Sequence, residues 1–237
     1  VPRPPIATPM LAALSAGARA AFLIEEPMAA AIGSGLPVEK AEGQMVIDIG
    51  GGTTEIGVIS LGGLVLNRSL RVAGDELTEA VINYSRLKYS LLLGESTAEE
   101  VKIAVGSAYP QKKEAEGTPL SIVVRGRSLE TGLPKSLKIT SSEIRESLMP
   151  IFQQMLSEIG LIIEETPPEI VSDILEKGIV MAGGGSLIRG LDKLISEETG
   201  MPVWVTDRPM EAVVRGCAKV LEDDNLLRKV RVTGGLS

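Results

Sequence analysis

The chain of 237 residues contains no histidine. That removes the Ser-His-Asp triad and the usual zinc ligand sets, so any acid–base work falls to carboxylates. Its single cysteine, Cys217, excludes a disulfide framework and fits a reducing cytoplasm. Aromatic residues make up only 3% of the chain while hydrophobic residues reach 44%. The core must therefore be built from Ala, Val, Ile and Leu, which suits an α/β sheet packed by helices. No apolar run has the length of a membrane span, and the first residues lack the charged-then-apolar layout of a signal peptide. A net charge of -7 with no evident basic face argues against a nucleic-acid partner.

What the chain does have is glycine in clusters. Met45–Ile49 reads as a buried strand carrying Asp48, followed by Gly50, Gly51 and Gly52, then Thr53 and Thr54, then a second β-run with Ile56, Val58 and Ile59. Glycines let backbone N–H groups approach an anion closely, and consecutive N–H groups form a concave phosphate nest. Thr53 and Thr54 add hydroxyl donors, and Asp48 can hold a hydrated divalent cation beside the phosphates. The turn leads into a strand, so it is a hairpin-type loop rather than a P-loop or dinucleotide fingerprint. A plain tight turn between core strands would need only one or two glycines.

A second cluster, Gly183, Gly184, Gly185 and Ser186, follows the apolar run Ile179–Ala182. Leu187, Leu191, Leu194 and Ile195 then recur at helical spacing, placing the glycines at a strand-to-helix junction. A flat base can slide over such bare backbone while N–H groups face a ribose or phosphate. Close packing of a helix on a sheet explains the cluster equally well.

Strands are expected at Gln44–Ile49, Glu55–Leu61, Gly63–Arg71, Leu120–Val124, Leu137–Thr140, Ile179–Met181 and Val203–Thr206, with a short one at Ala21–Ile24. Helices are expected over Met10–Ala20, Pro27–Ser34, Gly74–Lys88, Thr97–Gly106 (Thr97 as N-cap), Glu143–Glu165, Pro168–Leu175, Leu187–Thr199 and Met210–Glu222. Leu77, Val81, Ile82 and Leu87 are expected on one side of the third. Pro2, Pro4 and Pro5 read as an extended leader, and the tail after Asp223 as loose.

The two clusters, with Leu23–Gly33, Arg71–Leu77, Gly94–Lys102, Thr131–Lys135 and Glu165–Glu169, resemble the actin-fold ATPase superfamily. Within it the chain is similar to the MreB-like bacterial actins from about Ala16 to about Leu227. The resemblance implies an actin-like (ribonuclease H-like) domain II, a mixed sheet flanked by helices with a small inserted α/β subdomain. It divides the chain into a leader and interdomain helix region (1–43), a large subdomain (44–74 and 141–208), a small insertion (75–140), and a C-terminal helix and tail (209–237).

The same resemblance implies ATP or ADP with Mg2+ as cofactors. It sets Glu99 and Lys102 beside the adenine; from the residues alone their i,i+3 spacing describes an ordinary surface ion pair. Gly74 falls near the phosphates or ribose, although a glycine turn capped by Asp75 accounts for both residues equally. Glu26, ahead of Pro27 at a helix start, matches the position that orients the attacking water, with Glu25 the weaker candidate; favourable charge at a helix N-terminus is the plainer reading. Thr53 would complete the positioning of that water, and Asp48 would hold magnesium through water. By resemblance the partners are further copies in a filament and the cell-wall machinery at the membrane, the setting cytoplasmic and membrane-associated.

No counterpart of the family's first phosphate loop, of the type Asp-x-Gly-Thr-x-Asn, occurs in the chain. The expectation is a cleft with one wall, weak or absent hydrolysis, no ordinary protofilament from this chain alone, and an apolar stripe of Ala212, Val213, Cys217 and Val220 left exposed. An actin-fold kinase or phosphatase half would instead turn over an added acceptor, and a non-catalytic interaction module would hydrolyse nothing.

Overall fold

The computed structural model describes residues 7–110, 117 and 119–232. The proposed leader through Ile6 and the last five residues of the tail lie outside that range. A first helix, α1 (Ala7–Ser15), precedes α2 (Glu26–Gly33), which starts with Pro27 in its first turn. The expected strand at Ala21–Ile24 is reduced to one bridge between Ile24 and Arg231.

Three consecutive strands follow: β1 (Gln44–Ile49), β2 (Thr54–Ser60) and β3 (Gly63–Leu70). Every residue of β1 is buried, as a strand covered on both faces requires. β1 pairs antiparallel with β2 and parallel with β7 (Ile179–Ala182), and β8 (Val203–Val205) closes the far edge, giving the order β3-β2-β1-β7-β8.

Between β3 and α5 (Ser141–Glu165) the chain forms α3 (Gly74–Tyr89), β4 (Leu91–Leu92), α4 (Glu95–Val105), β5 (Ser121–Ser128) and β6 (Pro134–Thr140), with a small sheet ordered β4-β5-β6. β5 runs four residues further than expected, so the turn before β6 spans only 129–133. β4 had too few residues to stand out. α4 begins at Glu95 behind Gly94, so Thr97 is already inside the helix and does not cap it. In α3, Leu77 and Val81 are buried but Leu87 is 81% exposed; the core face has rotated away by the last turn.

α5 buries Ile144, Leu148, Phe152, Met155, Ile159 and Ile162, a run spaced three or four apart that faces the core. Arg68 of β3 fastens it from outside through Glu158 (2.9 Å) and Glu165 (2.7 Å). Then come α6 (Pro168–Lys177), a 3-10 turn at Gly184–Leu187, and α7 (Leu191–Thr199). A second 3-10 turn at Pro209–Glu211 leads into α8 (Ala212–Glu222), and α9 (Asp224–Val230) follows, with Asp223 accepting from the N–H groups of Asn225 and Leu226.

Two expectations are corrected at this end. Asp224–Val230 form a capped helix where a loose tail was expected. α8 is not an unpartnered stripe: it crosses α2 backbone to backbone, where a β-carbon on Gly33 would lie 1.7 Å from the Ala212 carbonyl oxygen and one on Gly216 1.9 Å from that of Ala29. Ala212 and Val220 are buried there, and Val214 and Leu221 are the side chains left outside. Among the described residues no helix is long and apolar enough to cross a membrane.

Candidate functional site

Parallel pairing of β1 with β7 aligns Asp48 with Ala182, so both glycine clusters leave the sheet at the same edge. Strand ends of this kind are where α/β sheets hold ligands. A cleft of about 730 Å³ opens there, lined by Asp48, Gly50 and Gly51 from the first turn and Gly183, Gly184 and Gly185 from the second. Glu26 at the start of α2, Gly74 at the start of α3, and Glu99 and Lys102 of α4 line it as well. Gly52 and Thr53 stand outside the lining.

The first turn is closed by the Gly50 N–H donating to the Thr53 carbonyl at 2.9 Å. It is stitched to α3 by the N–H of Gly74 to the Gly50 carbonyl (3.1 Å) and of Asp75 to the Gly51 carbonyl (2.8 Å). In the second turn, a β-carbon on Gly185 would lie 2.2 Å from the Ile49 side chain, so the bare backbone seals one corner against the other.

Two hydroxyls expected at the ligand are engaged elsewhere. Thr54 donates to the Val72 carbonyl at 2.7 Å and is buried, because it is already the first residue of β2. Ser186 donates back to the Gly183 carbonyl at 2.7 Å and braces the turn from behind.

Asp48 is 5% exposed, and among the described residues no basic side chain pairs with it. Burial, then the negative charges of Glu26 and Glu55, push its carboxyl up to about 6. A buried acid at a cleft, with the acidic Glu26 and Glu55 as the charges that act on it, suits a divalent cation. No group of three His, Cys, Asp or Glu side chains assembles among the described residues, so protein ligands alone do not build a metal cage.

Glu99 and Lys102 are not a surface pair. Lys102 is 8% exposed; its ammonium lies 2.6 Å from Glu99 Oε2 and donates to the Gly74 carbonyl (2.8 Å) and to Thr78 Oγ1 (3.0 Å). Thr78 in turn donates to Glu99. Burial acts to raise the Glu99 carboxyl, but the bonds from Lys102 and Thr78 outweigh it and hold the group below its ordinary value.

The sequence reading missed other wall residues. Asp75, weighed only as a cap, turns its carboxylate toward Gly51 and Gly52. Ile103, Ile188 and Met210 supply apolar surface, and Arg189 sits at the mouth, donating to the Ile103 and Gly106 carbonyls at 3.2 and 3.3 Å. Thr78, which bonds Glu99, Lys102 and the Gly74 carbonyl without itself lining the cleft, could have been found, since it lies one helical turn beyond Gly74. Met210 could not, because only the fold of α8 brings it near.

The strand order, the insertion after β3 and the cleft at the strand ends define an actin-like fold. The chain belongs to the MreB/Mbl family, which matches residues 10–229. Cell shape-determining protein MreB of Escherichia coli strain K12 is 52% identical over 210 residues, covering 89% of this chain and 59% of its own length. Cell shape-determining protein Mbl of Bacillus subtilis strain 168 is 39% identical, with 94% and 65% covered. The chain therefore spans about three-fifths of these relatives. Among solved structures, MreB5 of Spiroplasma citri bound to ADP superposes with a TM-score of 0.85 at 35% identity, covering 91% of this chain and 64% of that one. The MamK double helical filament, at 22% identity and a TM-score of 0.75, is alike in fold alone.

Proposed function

We propose that this chain holds an adenine nucleotide with Mg2+ in its cleft and serves in a cytoplasmic, membrane-associated cell-shape filament of the MreB type. The observation that carries the reading is the convergence of two glycine turns from neighbouring parallel strands on one cleft that also presents Asp48, Glu26, Glu99 and Lys102. The Gly50–Gly51 turn and the start of α3 suit the phosphates, the Gly183–Gly185 backbone suits the flat base and ribose, and Glu99 offers its second oxygen to the base edge. Asp48 would hold Mg2+ together with water and the phosphate oxygens; the ion would supply charge neutralisation at the phosphates. Glu26, exposed at the mouth near Asp48, is the group that would orient water toward the terminal phosphate.

MreB5 of Spiroplasma citri has been solved with ADP and with AMPPNP, which supports the nucleotide assignment. Cell-shape proteins at 52% and 39% identity support the cytoskeletal one. Titration calorimetry of the chain with ADP and ATP, with and without Mg2+, tests the site: one equivalent bound, more tightly with the metal, is expected, and no heat at millimolar nucleotide would overturn it. Pelleting with and without Mg-ATP tests self-association.

A further inference from the structure

We propose that Lys102 is a positioning residue that couples the two ends of the nucleotide cleft and does not itself bind the base. The proposal rests on the nucleotide reading above and departs from the expectation that Glu99 and Lys102 flank the adenine as equals.

An ammonium group has three hydrogens and no acceptor. Those of Lys102 have three acceptors within 3.0 Å: Glu99 Oε2, the Gly74 carbonyl and Thr78 Oγ1. At 8% exposure the group has little room for a fourth partner. A base could recruit it only by displacing a charge-assisted bond, which costs more than a neutral one. Glu99 differs: its side chain is 43% exposed, and the bonds from Lys102 and Thr78 both end on Oε2, leaving Oε1 to the cleft.

The geometry gives Lys102 another task. The Gly74 carbonyl it grips belongs to the residue whose N–H donates to Gly50, and the next N–H, of Asp75, donates to Gly51. A continuous path therefore runs from Glu99 through Lys102 and Gly74 to the phosphate-side turn. The Thr78 hydroxyl runs beside this path, donating to the same Gly74 carbonyl (3.0 Å) and to Glu99, so Lys102 is the charged member of a doubled tie. Without the ammonium, the neutral Thr78 hydroxyl alone would tie Glu99 to the Gly74 carbonyl, and the Gly74–Gly50 and Asp75–Gly51 bonds would open more often.

Hydrogen exchange of the ligand-free chain tests this directly, with Lys102→Met as the variant. The Gly74 and Asp75 amides are expected to exchange about ten-fold faster or more, while the β1 amides keep their protection and report an intact fold. Affinity for tripolyphosphate, which has no base to touch α4, should fall along with that for ATP. Unchanged exchange at Gly74 and Asp75 overturns the proposal, because loss of a distant charge weakens tripolyphosphate without loosening those amides. Should Lys102→Met fail to fold, Lys102→Gln, a shorter and neutral side chain that leaves Thr78 in place, takes its role; a rise at the same amides supports the path and no rise overturns it. Failure of the unaltered chain to bind ATP would sink the nucleotide reading and leave the exchange result standing.

Discussion

Gly183 meets Asp48 so closely that a β-carbon on it would lie 2.4 Å from the Asp48 Oδ1 and 2.3 Å from the Ile49 carbonyl oxygen. Its φ of +79° is also one that other residues rarely adopt. Gly183→Ala is therefore expected to damage the fold and the site together. Backbone strain alone accounts for about 1–3 kcal/mol, and the clash adds to it. Urea unfolding should show a lower midpoint and calorimetry a loss of nucleotide; a variant with unaltered midpoint would mean the two corners are not packed as described.

Gly51 gives the opposite separation. The atoms nearest a β-carbon there are the Asp75 carboxylate oxygens at 3.6 and 3.9 Å, ordinary contact distances. Gly51→Val should thus fold with stability within about 0.5 kcal/mol of the original. Its γ-carbons would occupy the cradle, and ATP affinity should fall at least about ten-fold through lost phosphate contacts. Equal affinity in the two proteins would show that this loop holds no phosphate.

The contrast between these glycines marks how far the sequence could be read. Three glycines in each cluster pointed to bare backbone, and Gln44–Ile49 was legible to the residue because a fully buried strand is an unbroken apolar run around one acid. What local pattern could not show was which atoms were already spoken for. Thr54 looked like a ligand donor, yet its hydroxyl belongs to Val72, a partner fixed only once β2 and β3 pair. Lys102 looked like a surface cation, yet the meeting of α3 and α4 buries it. Helix ends misled for the same reason: Gly94, not Thr97, precedes α4, and α9 escaped notice because its seven residues are too few for a clear period.

Asp48 makes stability and metal binding depend on pH in a predictable direction. Its carboxyl sits at an ordinary 3.8 when unfolded and about 6 when folded, so the native state keeps the proton longer. Its effect on stability is most favourable below pH 4, declines as pH rises through 4 to 6, and stays unfavourable above, on the order of 3 kcal/mol. Asp48→Asn should accordingly be more stable than the original at pH 7.5, lose this decline between pH 4 and 6, and gain no stability from millimolar Mg2+. The original should bind Mg2+ more weakly at pH 5 than at pH 7.5. A flat Mg2+ response in the original across that range would count against Asp48 as the metal-side acid.

Glu143 shows the reverse sign. It caps α5 by accepting from the Thr140 N–H (2.9 Å) and hydroxyl (2.7 Å), and it receives Tyr89 and Lys88 as well. Burial acts to raise its carboxyl, but these bonds dominate and bring it down to about 2. The stability it contributes is complete above about pH 4.5 and is lost as pH falls toward 2. Glu143→Ala should cost about 1–2 kcal/mol at pH 7 and much less at pH 2.5. Denaturation at both values checks this, and an equal cost at each would show that packing rather than charge is what the side chain supplies.

Glu26 is the test of chemistry as distinct from binding. It lies at the mouth of the cleft, close enough to Asp48 for the two charges to repel, yet it is exposed and forms no bond that shapes either glycine turn. Glu26→Gln keeps the shape of the side chain and removes its ability to accept a proton from water. Nucleotide affinity should change by less than about three-fold, and Asp48 should titrate lower once the neighbouring charge is gone. Any phosphate release the original chain shows with Mg-ATP should fall by about 100-fold, the scale on which a positioned general base contributes. Equal release from both proteins would remove Glu26 from the chemistry, and Glu25, which does not line the cleft, would not replace it.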